Sequence, residues 1–118
     1  MKRRVNEMLY NTAIKLEKIG KRNNSRLWIK VSEMLLSPRR LRREVNVSHI
    51  SKYTSEGDIV VVPGKVLGSG ILTHSVTVSA YKFSQRAKEK IVKAGGNCLS
   101  LLELAEKNPN GSNIKLLG

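Results

Sequence analysis

The feature that most constrains this chain is a change in the period of its apolar residues near position 44. Before that point apolar side chains recur every three or four residues. Val5, Met8, Leu9, Ala13, Leu16 and Ile19 make one stripe, and Leu27, Trp28, Val31, Met34 and Leu35 make a second. That spacing lines one face of a helix. After Glu44 the texture becomes strand-like. Val45 and Val47 alternate with polar neighbours in EVNVSHI, and Asp58 to Pro63 is a β-branched run. Val76, Val78 and Ala80 then alternate with Thr77, Ser79 and Tyr81. Strand patterns then give way again to helical ones, so both strands and helices are expected after residue 44.

Local signals set the expected boundaries. The first helix is predicted from about Val5 to Ile19, with Gly20 as its terminator. KRNNS, residues 21–25, is a basic turn whose Ser25 caps the second helix, and Pro38 ends that helix. The strand at 58–63 is expected to stop at Pro63. Ser84 is placed as an N-cap and Gly95 as a C-terminal stop. Ser100 and Glu103 fit a capping box for a last helix that stops near Asn108-Pro109, followed by a turn and a short extended tail. Trp28 sits on an apolar helix face and is expected in the core. The chain is expected to divide into a basic helical segment, 1–43, and an α/β core, 44–118, within one compact unit.

Charge narrows the partners. Twenty-two Lys and Arg face nine Asp and Glu, a net +13. Residues 1–43 hold thirteen basic and three acidic side chains, net +10, while residues 44–118 are only +3. Such a field attracts polyanions, with nucleic acid first and an anionic membrane surface second. PRRLRR, residues 38–43, places four arginines in six residues, and guanidinium forks match phosphate oxygens bidentately. Candidate phosphate contacts are Arg3, Arg4, Lys21, Arg22, Arg39, Arg40, Arg42 and Arg43, with Lys52 beside them. Asn23, Asn24 and His49 are candidates for hydrogen bonds to sugar or phosphate. Arg86, Lys90 and Lys93 form a further basic stripe, which reads as a solvated face. In PGKVLGSGILTHS, Gly64, Gly68 and Gly70 permit close backbone approach. The loop serves an RNA backbone, the needs of the sheet, or both.

Catalytic signatures are mostly missing. Gly64-Lys65 is followed by Val66, so no phosphate-binding P-loop is formed, and the glycine spacing fails the dinucleotide fingerprint. The only cysteine, Cys98, excludes an internal disulfide, and two histidines with one distant cysteine make no recognisable zinc set. No cofactor, metal or small-molecule substrate is expected. No apolar run spans a membrane, and the basic N-terminus lacks the features of a secretory signal. Residue chemistry alone therefore leads to a binder of structured RNA or DNA through phosphates. Two other classes stay open: a small basic RNA-processing enzyme using His49 and His74 as base and acid, and a free RNA-binding regulator.

The segment from Gly64 to Gly96 carries a more specific signal. Its glycine loop, Val-Thr-Val strand, Phe83-Ser84 helix start and Ala94-Gly95-Gly96 helix end resemble the large-ribosomal-subunit family "L eighteen e", and more distantly the bacterial "L fifteen". The similarity covers nearly the whole chain, and the compact length resembles the archaeal form. It implies an α/β domain with an irregular β-β-α superhelical core and no catalytic residues. It also implies a cytoplasmic place in the large subunit, against its ribosomal RNA and neighbouring ribosomal proteins. Gly64, Lys65, Gly68, Gly70 and the arginine cluster are the RNA-facing regions it suggests.

Overall fold

The computed structural model describes residues 7–37 and 44–117. Ten elements follow one another: α1 (Glu7–Arg22), α2 (Arg26–Leu36), β1 (Glu44–Asn46), α3 (Val47–Tyr53), β2 (Ile59–Leu67), β3 (Thr77–Phe83), α4 (Gln85–Lys93), β4 (Asn97–Ser100), α5 (Leu101–Lys107) and β5 (Ile114–Leu116). The fold is mixed α/β, with N-terminal helices and a parallel sheet.

The sheet runs β1-β2-β3-β4, with β5 also paired to β2, and every pairing is parallel. Parallel strands are usually covered on both faces, because their crossovers lay helices there. The Val60-Val61-Val62 run shows this directly, since successive strand residues point to opposite faces. Val60 and Val62 join Val45, Ile50, Val78, Ala87 and Ile91 in the core under α3 and α4. Val61 joins Leu16, Trp28, Val31, Leu35, Leu101 and Leu104 in the core under α1, α2 and α5. The basic N-terminal helices thus share a core with the sheet and with α5.

Trp28 is fully buried, as its helical position predicts. Its Nε1 donates to the carbonyl of Asn108 at 2.9 Å, tying α2 to the end of α5. Three N-caps placed from sequence are present: Ser25, Ser84 and Ser100 each accept from the backbone N–H three residues on. The Ser100–Glu103 capping box is complete.

Three boundaries differ from the sequence expectation, each for a tertiary reason, and one strand is additional. The first helix passes through Gly20 to Arg22. A Cβ on Gly20 would lie 2.8 Å from Ile29 Cγ1, so glycine lets α2 cross closely. The helix closes instead at Asn24, whose φ is 54°, with Ser25 N–H donating to Gly20 O at 2.8 Å. That six-to-one bond around a left-handed residue is a Schellman closure. In EVNVSHI the strand ends at Asn46 and a helix begins, because Val47 and Ile50 are buried at helical spacing. The strand at 59–67 runs past Pro63. The β2–β3 register shifts between Val62 and Lys65, and β1 and β5 pair with β2 on either side of that gap. A proline in the gap has no ladder hydrogen bond to lose. Finally, Asn97–Ser100 forms β4, an element the sequence pattern did not indicate.

The β2–β3 link positions the glycine loop. Parallel strands normally need a crossover of a dozen or more residues. Here nine residues, 68–76, suffice, with Leu72 and Val76 buried in the core beside Ala87 and Ile91. The glycine loop is this crossover, and β2, the loop, β3 and α4 form a β-β-α unit.

Candidate nucleic-acid interface

So short a crossover leaves little room for side chains. A Cβ on Gly68 would fall 2.6 Å from Arg86 Cγ and 2.8 Å from the Ala87 nitrogen. On Gly70, whose φ is +88°, it would fall 2.2 Å from Ser48 Cβ. The loop is therefore pressed against the first turn of α3 and the start of α4. Lys90, half-buried on α4, reaches back and donates to the carbonyls of Gly68 and Gly70. Ser48 N–H donates to Ser69 O at 3.3 Å, and Ser69 N–H to Asn46 Oδ1 at 3.3 Å. Gly64 is buried within β2, while the neighbouring Lys65 is exposed.

His49 and Lys52 stand on the exposed side of α3. The His49 and Tyr53 rings are 4.8 Å apart, and Lys52 Nζ lies 5.7 Å from the centre of the Tyr53 ring. Ser51 and Thr73 hydroxyls meet at 3.0 Å, which fastens α3 to the far end of the crossover. Among the sequence candidates, His49, Lys52, Gly68 and Gly70 thus gather where α3 meets the loop.

Lys21, Arg22, Asn23 and Asn24 form a second group, at the α1–α2 turn over the opposite face of the sheet. Lys21 and Arg22 occupy the last turn of α1, where cations complement the helix dipole. Lys21 pairs with Glu17 at 3.4 Å, but both side chains are well exposed and such a pair is weak, so Lys21 remains available to a polyanion. Asn23 Nδ2 donates to Ile19 O at 2.8 Å and Asn24 supplies the left-handed closure, so both asparagines also have structural work within the turn. Arg3, Arg4, Arg39, Arg40, Arg42 and Arg43 lie outside the described residues.

The electrostatics favour an anionic partner. Among the described residues there are two ion pairs, Lys21–Glu17 and Lys115–Asp58. The second is local: Lys115 Nζ sits 3.0 Å from Asp58 and also donates to Tyr53 O, fixing β5 to the α3–β2 turn. The Asp58 carboxyl is held below its ordinary value, first by the Ser55 N–H and then by Lys115, with burial opposing. The other described lysines and arginines have no carboxylate partner among the described residues.

The two histidines do different things. His74 is half-buried, with Nε2 2.8 Å from Thr54 Oγ1 and Nδ1 3.1 Å from Thr73 Oγ1. Thr54 donates its hydroxyl proton to Ile50 O, so it accepts from His74 Nε2–H. Nε2 therefore carries a proton, and Nδ1 lies beside the Thr73 hydroxyl. Both ring nitrogens are engaged within the fold, whereas His49 faces outward. Among the described residues no group of three His, Cys, Asp or Glu is placed to hold a metal ion, and no helix is long and apolar enough to cross a membrane.

Residues 2–118 match the family described as ribosomal protein 60S L18 and 50S L18e. The chain belongs to this family. It is 50% identical over 96 residues to the large ribosomal subunit protein eL18 of Archaeoglobus fulgidus, covering 81% of this chain and 82% of that one. The eL18 of Methanococcus maripaludis is 46% identical over 103 residues, 87% of this chain and 86% of its own. That of Thermoplasma acidophilum is 45% identical over 102 residues, 86% and 85%. The "L eighteen e" resemblance seen in the sequence is the family found here, and these relatives are archaeal.

Several residues near these surfaces escaped sequence reasoning. The inward turn of Lys90 looked like part of a solvated stripe, because its partners are carbonyls twenty or more residues away. Lys82 and Lys88 carried no spacing signal at all. Their neighbourhood depends on where β4 ends.

Proposed function

We propose that this chain is a non-catalytic structural constituent of the large ribosomal subunit, located in the cytoplasm, which binds large-subunit ribosomal RNA through phosphate contacts. The observation that carries this is the family match across residues 2–118, in a chain of net charge +13. The lysines and arginines of the described surface that lack carboxylate partners support it, since their charge is left for phosphates.

The N-terminal part supplies the charge and the α/β core holds it in place. Arg3, Arg4, Lys21, Arg22, Arg39, Arg40, Arg42 and Arg43 neutralise backbone phosphates, and Asn23, Asn24 and His49 add hydrogen bonds to sugar or phosphate. Lys52, Lys65 and the backbone of Gly64, Gly68 and Gly70 form a second RNA-facing region around the crossover. Contacts of this kind position a protein on folded RNA without reading its sequence. By offsetting charge they let RNA helices pack closely, and neighbouring ribosomal proteins complete the surroundings.

Sedimentation tests this. A tagged chain expressed in an archaeal host should migrate with large subunits through a high-salt sucrose gradient. Recovery at the top of the gradient, free or on small RNAs, would refute the ribosomal assignment in favour of a regulator. RNA cleavage that disappears in both His49→Ala and His74→Ala variants would establish an enzyme instead.

A further inference from the structure

A groove of about 470 Å³ opens where the strands β2, β3 and β4 end. Its origin is a mismatch in strand length. β4 stops at Ser100, paired with Ala80. β3 continues to Phe83, paired on its other side through Lys82 with Lys65 and through Phe83 with Val66. Residues 81–83 therefore have no β4 partner along their outer edge. Open α/β sheets bind ligands in such crevices beyond the carboxyl ends of the strands.

The lining is cationic and aromatic. Lys65 from β2, Lys82 from β3 and Lys88 from α4 converge on it, all exposed and without carboxylate partners among the described residues. Tyr81 packs against the core under α1, α2 and α5 and Phe83 against the core under α3 and α4, so the two rings border the groove from opposite faces of the sheet. Lys82 Nζ lies 5.9 Å from the centre of the Tyr81 ring, which makes Tyr81 the ring beside the lysines. The one acidic lining residue, Glu103, is committed to the helix cap, accepting from Ser100 N–H at 2.7 Å. The volume is in the range of a small-ligand site, about 300–1,000 Å³. An RNA duplex hides its base faces in the stack, whereas an unpaired nucleotide offers both a phosphate and a face for aromatic stacking.

Resting on the ribosomal reading above, the geometry points to this groove as the seat of an unpaired RNA nucleotide, its flanking phosphates on Lys65, Lys82 and Lys88 and its base against the half-buried Tyr81 ring.

Cys98 lines the same groove and is the only cysteine in the chain, so it reports occupancy. The full chain is alkylated with N-ethylmaleimide alone, with saturating oligouridylate, with duplex RNA of equal length and with polyglutamate. Oligouridylate should slow Cys98 modification several-fold, and the other two polymers should do so far less. A Lys82→Gln/Lys88→Gln variant should lose that protection. Its logarithmic salt slope for single strands should be shallower by about 1.4, at ~0.7 for each phosphate no longer neutralised. Exposed lysines are replaced, so unchanged circular dichroism is expected to confirm folding. Unprotected Cys98 at saturation, an unchanged slope, or equal protection by duplex or polyglutamate would overturn the assignment. The same variant is run on the high-salt gradient. Wild type and variant that both sediment with large subunits, with Cys98 unprotected, would remove the groove alone; wild type that does not sediment would remove the ribosomal reading.

Discussion

Replacing Gly70 by Ala tests whether the crossover is as tightly wedged as its geometry states. Two separate penalties apply. Gly70 has φ +88°, in the left-handed half of the map, where a non-glycine residue costs roughly 1–2 kcal/mol. The new Cβ would also lie 2.2 Å from Ser48 Cβ, so α3 or the loop must move. Overpacking of that kind costs about 1–3 kcal/mol. Gly70→Ala should therefore destabilise by about 2–5 kcal/mol, a large share of the ~5–15 kcal/mol typical of a domain. The second penalty belongs to a single neighbour, which allows it to be isolated. Ser48→Gly removes the clashing atoms at a cost of about 1 kcal/mol or less in the first turn of α3. In that background Gly70→Ala should cost only the backbone share, roughly 1–2 kcal/mol. Urea unfolding followed by the fluorescence of the buried Trp28 gives all four corners of the cycle. A coupling of about 1–3 kcal/mol is expected. Additive effects would show that Ser48 is not the obstacle, and a neutral Gly70→Ala would refute the loop conformation itself.

Three further outcomes follow from the same structure. Trp28→Phe removes the bond to Asn108 O and leaves a small void in the core under α1, α2 and α5, so urea unfolding should show a loss of roughly 1–3 kcal/mol. Asp58 has a lowered pKa, so the stability it contributes is fully present above the ordinary aspartate value and is lost as pH falls through the lowered one. Asp58→Asn should accordingly flatten the acid limb of a stability–pH curve and leave its slope near neutral pH unchanged. Burial raises the Cys98 thiol above the ordinary cysteine range, with Lys88 partly opposing. Since the thiolate is the nucleophile, the pH–rate profile for alkylation should be displaced to higher pH than that of a free cysteine, and Lys88→Gln should displace it further.

How much was legible depended on how local each signal was. The caps at Ser25, Ser84 and Ser100 are satisfied within three residues, so sequence alone located them. Trp28 was legible as core because a helical stripe tells which side is inward. Gly20 was read as a stop, but its reason is Ile29 on another helix. Val45, Val47 and Ile50 fit both a strand and a helix, and only the packed core chooses the switch at Asn46. Pro63 seemed to end a strand because its tolerance depends on a register gap between strands distant in sequence. The glycine loop was recognisable, yet its wedging between Ser48 and Arg86 was not, since those contacts join three elements. The groove beside Lys82 and Lys88 was the least visible, because it arises from one strand being shorter than its neighbour.

The central claim is that clustered basic side chains hold this chain to ribosomal RNA by replacing counterions on phosphates. The salt dependence of its affinity for large-subunit ribosomal RNA measures that directly. Neutralising about eight phosphates predicts a logarithmic slope near −7 on duplex regions, and changing Arg39, Arg40, Arg42 and Arg43 to Ala should reduce its magnitude by about 3.6. A slope near zero, or the same slope with and without those four arginines, would contradict the account.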